Sequence, residues 1–272
     1  MDVVDRWPTL RSVCPGFERG EWRRDDLARD IFDRHLLNFA TNFSTFSTVT
    51  GDTAAADIRN AARIVYQTEK YRSRGEYGEL LLHAILRDFY GSEPVVSKIF
   101  FKDSPNDTVK GFDAVHITFT EGKMELWLGE VKFYADLGDA VRDVAKELGL
   151  HLGDDYLRGE FIVVNNKVDP SWPHTERLSA MLDQNSSLDE IFDTLIVPIF
   201  LTYESRAIAD NAAVCEAYTQ ALTREAEQAW EKLSTKIGAS WDVDLRVILL
   251  PLDTKQAMVD SLHQKLDVWQ RI

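Results

Sequence analysis

The stretch GFDAVHITFTEGKMELWLGEVKFY, residues 111–134, reads as two strands joined by a tight turn at Glu121-Gly122-Lys123. So short a connection makes the pair an antiparallel hairpin. Successive strand side chains alternate between faces. On the first strand Val115, Ile117 and Phe119 therefore share a face with Asp113. On the second, Met124, Leu126 and Leu128 precede Glu130 and Lys132 on one face, and Trp127, Val131 and Phe133 take the other. An acid and a lysine thus stand where an apolar alternation should continue. Buried charge is costly unless it is paired or metal-bound. A turn near Gly122 sets Asp113 approximately beside the Glu130–Lys132 pair.

Working outward, EYGELLLHAILRDFY (76–90) carries Leu81, Leu82, Ile85, Leu86 and Phe89 at helical spacing, and Gly91 ends the helix. VVSKIFF (95–101) is strand-like, with a turn at SPND (104–107). Residues 136–148 form a helix through Leu137, Val141, Val144 and Leu148, closed by Gly149. FIVVNN (161–166) reads as a short strand buried on both faces, stopped by Asn165 and Asn166. LIVPIFLTY (195–203) is a strand in which Pro198 argues for an edge or a bulge. A long helix over 207–236, a strand LRVILLPL (245–252) and a helix over 254–269 complete the chain. Upstream, helices are expected over 26–40 and 53–70, and residues 1–22 read as irregular lead-in. The class is α/β or α+β with a central mixed sheet flanked by helices. The organisation is a mostly helical region over 1–75, then a larger unit over 76–272 ending in a strand and helix extension.

Composition sets bounds. With 272 residues, 44% hydrophobic and 28% charged, the chain is globular. Cys14 and Cys215 give neither a disulfide framework nor zinc spacing. The start MDVVDRWPTL does not read as a signal peptide, and the apolar run Leu195–Leu201 is far shorter than the roughly 20 residues of a membrane helix. Against 31 basic residues stand 45 acidic ones, a net charge of −14, which argues against a passive nucleic-acid binder. A nuclease stays open, because a site of carboxylates and metal ions is itself acidic. Arg59, Arg63, Lys70, Arg72 and Arg74 form the most basic stretch, readable as a solvated face or as a phosphate-contacting patch. There is no HExxH, Walker lysine motif or GxGxxG.

Acid-x-Lys occurs at Glu121/Lys123, Glu130/Lys132 and Asp253/Lys255, and the middle one alone interrupts an apolar strand. Asp113 joins it from the neighbouring strand. Glu79 is a possible fourth member from the helix, with Glu76 as its alternative. Mg²⁺ takes oxygen ligands, and Asp113, Glu130 and the Val131 carbonyl are candidates to hold it. Glu79 could hold a second ion or a metal-bound water. Lys132 could orient the attacking water or stabilise charge on phosphoryl oxygens. The competing reading is a structural ion-pair network at the sheet rim. His83, on the Glu79 face of its helix, could assist the site or simply pack. His116 points away from Asp113. Tyr134 could border a substrate or pack.

The order Glu79, Asp113, Glu130-x-Lys132 resembles the PD-(D/E)xK nuclease superfamily, with Phe112 where the literal motif has proline. Its restriction-endonuclease-like core would cover about residues 76–167. RGEYGELLLHAILRDFYG, KGFDAVHI, ELWLGEVKFY and FIVVNNK are similar to the DUF1837-type nuclease subunits of the bacterial Hachiman anti-phage system. That resemblance implies a cytoplasmic DNase using Mg²⁺, with Mn²⁺ able to substitute, beside a superfamily 2 helicase. It implies Asp113 and Glu130 as metal ligands, Lys132 as the catalytic lysine and Glu79 as the helix acid. The alternative is a non-catalytic scaffold subunit that uses the same fold to bind the helicase or nucleic acid.

Overall fold

The computed structural model describes residues 1–3, 6–65, 75–97, 111–238 and 241–271. In chain order the elements are β1 (Asp2–Val3), β2 (Thr9–Ser12), β3 (Phe17–Glu18), β4 (Glu21–Trp22), α1 (Arg24–Ala40), α2 (Phe43–Phe46), α3 (Ala54–Val65) and α4 (Glu76–Tyr90). Then come β5 (Glu93–Ser97), β6 (Ala114–Thr120), β7 (Lys123–Lys132), α5 (Leu137–His151), α6 (Asp154–Lys167), α7 (Thr175–Met181) and α8 (Leu188–Phe192). The chain closes with β8 (Leu195–Glu204), α9 (Arg206–Ala209), α10 (Glu216–Ile237), β9 (Asp244–Leu252) and α11 (Lys255–Arg271). Among the described residues no helix is long and apolar enough to cross a membrane.

Among the described residues seven strands form one mixed sheet in the order β1-β2-β9-β8-β7-β6-β5. β2, β9, β8 and β7 pair in parallel, and β6 returns antiparallel to β7. β8 is buried from Leu195 to Tyr203, as a strand covered on both faces must be. Helices α1, α3, α4 and α11 pack one face around Trp127, Val131 and Phe133. Helices α5, α6 and α10 pack the other around Leu126, Leu128 and Ile199. The mixed α/β architecture is the one the sequence implies.

The hairpin turns on Glu121 and Gly122, both at positive φ (51° and 81°), the backbone a two-residue type I′ loop requires. Its register pairs Thr120 with Lys123 and Ala114 with Gly129. Helix α4 has the bounds its periodicity predicts, and Gly91 caps it at φ 64°.

Three expectations are corrected. Residues 161–166 lie in α6, not in a strand. Leu157, Phe161 and Val164 are buried while Ile162 and Val163 are exposed, which is a helical stripe; Asn165 accepts from Ser179 Oγ instead of ending a strand. The strand that follows α5 and pairs with β7 is therefore β8. Pro198 sits in the central strand β8, not at an edge. It falls opposite Gly129, where pairing with β7 is interrupted between Trp127↔Ile196 and Glu130↔Ile199, so its missing N–H breaks no bond there. Finally, residues 1–22 are not irregular: β2 pairs with β9 along Thr9–Ser12. Lys70, Arg72, Arg74 and the SPND turn lie outside the described residues.

Gly78 seats α4 on the sheet. A Cβ there would stand 2.6 Å from Val131 Cγ1 and 2.9 Å from Phe133 Cβ. Gly149, inside α5, has nothing within 4 Å of that position. The same substitution is expected to act in opposite directions. Gly78→Ala should destabilise by about 1–3 kcal/mol through overpacking. Gly149→Ala should stabilise by up to about 1 kcal/mol through helix propensity. Urea unfolding of both variants tests this; a shared sign would contradict the close α4–β7 seating.

Candidate active site

The site begins where β6 ends its pairing with β7. Asp113 precedes Ala114, so the hairpin register sets it opposite Glu130. Its backbone N–H donates to the Gly129 carbonyl (2.8 Å), and its Oδ2 accepts from the Val131 N–H (2.8 Å). A carboxylate thus takes the amide that the next strand residue would otherwise have paired. Gly111 stands two residues earlier at φ 129°, and a Cβ there would meet the Glu160 carboxylate at 2.7 Å. Only glycine suits both the backbone angle and that approach.

Glu130 and Lys132 leave β7 on the α5 face, 1% and 7% exposed. Lys132 Nζ lies 3.9 Å from Glu130 Oε2 and donates to the Val131 carbonyl at 3.2 Å. Two residues of α5 complete the cluster. Lys132 Nζ donates to Glu147, and His151 Nδ1 bonds Glu130 Oε1. The His151 ring stacks on Tyr156 at 4.4 Å and meets Phe112 edge-on at 5.4 Å. Glu160 of α6 accepts from the Phe112 N–H at 3.4 Å.

The electrostatics follow from this crowding. Burial pushes Glu130 up to about 7; the His151 hydrogen bond opposes the shift and the charge of Asp113 adds to it. Burial alone would lower the Lys132 ammonium. Its bond to Glu147 and the charges of Glu130 and Asp113 outweigh that, so it stands above the ordinary lysine value. His151 behaves likewise: burial lowers it, and the bond to Glu130 with the surrounding acids raises it overall. The cluster is a buried network in which Lys132 and His151 stand against Glu130 and Glu147.

Of the four candidates, Asp113, Glu130 and Lys132 are brought together: Lys132 Nζ stands 3.9 Å from Glu130, and the charge of Asp113 acts on both. Glu79 lies in the first turn of α4, in the opposite layer, at the level where Gly78 packs on Val131 and Phe133. Glu76 and Glu79 are 5% and 7% exposed, so burial does not separate the two. His83 belongs elsewhere, bonded to Asn38 and His116. Tyr134 donates to Asp143 Oδ2 at 3.1 Å.

Sequence reasoning missed Glu147, His151 and Glu160. His151 was hidden because Gly149 reads as a helix end, whereas α5 continues to His151. Glu160 was hidden by the strand reading of the next six residues. A further acid–histidine group, Asp30, His35 and Asp88, is already compensated: Arg34 pairs with both aspartates and Arg87 bonds His35.

Compared with known proteins, residues 3–266 match the family model HamA, nearly the whole chain. No curated protein matches it.

Proposed function

The chain belongs to the HamA family, the component of the Hachiman anti-phage defence system, and from that premise we propose that it is a metal-dependent DNA endonuclease. The observation that carries the reading is the position of Lys132 Nζ, against the Val131 carbonyl and Glu130 Oε2. An ammonium there stands in for a cation among oxygen donors of the kind Mg²⁺ takes. Asp113 and Glu130, on paired strand ends, with the Val131 carbonyl would hold the ion, and Mn²⁺ would substitute. A bound divalent ion supplies an acidified water and draws charge from a phosphate. Lys132, kept charged by its acidic neighbours, places a donor where negative charge develops on the phosphoryl oxygens. Glu79, in the opposite layer on α4, stands apart from Asp113, Glu130 and Lys132, and its part as the helix acid is the piece of the reading that the geometry does not carry.

A helicase partner fits the charge balance. A net charge of −14 opposes close approach to DNA by the chain alone, which leaves loading on DNA to another subunit. Cleavage of supercoiled and linear DNA with Mg²⁺ or Mn²⁺, with and without that helicase, tests the proposal. The wild type is expected to cut and to bind Mn²⁺ in calorimetry, and Asp113→Asn to lose both. A second reading is a non-catalytic scaffold, favoured by the way Glu147 and His151 already neutralise Lys132 and Glu130. Mn²⁺ binding that is absent, or unchanged in Asp113→Asn, would move the conclusion to the scaffold.

A further inference from the structure

Glu130 and Lys132 are two residues apart on one strand face, so their Cα atoms stand about 6.6–6.8 Å apart. Glu147 and His151 are four residues apart on α5, a rise of about 6 Å along one helix face. The two spacings match, and each helix residue meets one strand residue: Glu147 takes Lys132 and His151 takes Glu130. The helix that carries them is fixed. Its Asp136 side chain caps the Asp139 N–H, and Ala140, Val141, Val144 and Leu148 are buried in the core beneath the sheet. His151 is further held by its stack on Tyr156. Glu147 keeps 39% of its side chain exposed, so the Lys132 end of the cluster is the end that faces solvent.

We infer that Glu147 and His151 are positioning residues of the site, Glu147 aiming the Lys132 ammonium and His151 orienting the Glu130 carboxylate, with α5 as the rigid bar that sets both. This rests on the nuclease reading of Asp113, Glu130 and Lys132. Ligating carboxylates depend on the groups that hydrogen-bond them, and loss of such a partner typically costs about 10–100-fold in metal affinity or activity. A purely structural pair would change unfolding alone, leaving metal affinity and turnover per folded molecule intact.

The test uses Mn²⁺ calorimetry, DNA cleavage kinetics and thermal melting on the full chain. His151→Ala is expected to weaken Mn²⁺ binding by about 10-fold or more. His151→Asn, whose amide nitrogen falls where Nδ1 stands, should recover most of it. Glu147→Ala should lower kcat by about 10-fold with KM unchanged. Glu147→Gln, which still accepts from Lys132, should recover most of that loss. Asp113-dependent Mn²⁺ binding that is indifferent to His151, or turnover indifferent to Glu147, overturns the assignment of that residue alone. Mn²⁺ binding that does not depend on Asp113 overturns the nuclease reading and this inference with it. Variants whose losses track melting temperature, with no rescue by Asn or Gln, show a structural pair and overturn the inference.

Discussion

Lys132→Ala is expected to cut DNA about 10²–10³-fold more slowly than the wild type while binding Mn²⁺ at least as tightly. The two halves have one origin. Lys132 Nζ stands against the Val131 carbonyl and within 3.9 Å of Glu130, oxygens proposed for the metal. Removing the ammonium removes a competing cation, so binding is retained or strengthened. It also removes the donor proposed to stabilise the phosphoryl oxygens, so the rate collapses. Asp113→Asn should behave differently, losing binding and rate together. The cost to folding is the release of Glu130, 1% exposed and already raised by burial, to His151 alone. A melting curve must therefore accompany the assay. Cleavage by Lys132→Ala at the wild-type rate would end the proposed role of the lysine. Loss of both rate and Mn²⁺ binding in a folded Lys132→Ala protein would make the residue a structural counter-ion instead.

Why this site was partly legible in the sequence, and partly not, has physical causes. The hairpin was legible because its connection is short, but its register was not; the two-residue loop of the folded chain is what sets Asp113 opposite Glu130. The charged interruption was legible because period-two alternation assigns each residue of β7 to a face, and the two cores divide as that alternation requires. What failed was non-local or ambiguous. β2 pairs with β9 across more than two hundred residues, and nothing local in Thr9–Ser12 announces it. Phe161–Val164 is rich in β-branched residues, and a short apolar run does not distinguish strand from helix. The deciding signal was wider: Leu157, Phe161 and Val164 keep helical spacing across the whole of α6. Gly149 misled because a glycine near a helix end reads as its cap. Here it is an interior residue: α5 runs on by two residues, and that extension delivers His151.

A second large effect is expected in acid, away from the site. His83 and His116 are buried and bonded in a chain that links α1, α4 and β6. His83 Nε2 donates to Asn38 Oδ1 (2.8 Å), so the neutral His83 ring accepts at Nδ1. His116 Nε2 then donates to it (3.1 Å), and His116 Nδ1 accepts from Ser92 Oγ (2.8 Å). Each bond fixes the next only while both rings are neutral. Burial, with repulsion from Arg87, lowers His116 to about 3 and lowers His83 well below its ordinary value. A depressed folded-state pKa gives stability that is present above the unfolded value of about 6.5 and lost as pH falls towards the folded one. For His116 the loss between pH 7 and pH 5 is about 2 kcal/mol. His83 moves in the same direction. Glu130 and His151, both raised, move in the opposite direction over that range, so the total slope of the wild type mixes signs. The clean measurement is a difference. Urea unfolding of the wild type and of His116→Gln at pH 7, 6 and 5 should show the variant losing about 2 kcal/mol less on acidification, whatever its stability at pH 7. Parallel curves would mean that His116 takes up its proton in the folded protein as readily as in the unfolded chain. The neutral three-bond chain would then not be what ties α4, and with it Glu79, to the strand that carries Asp113.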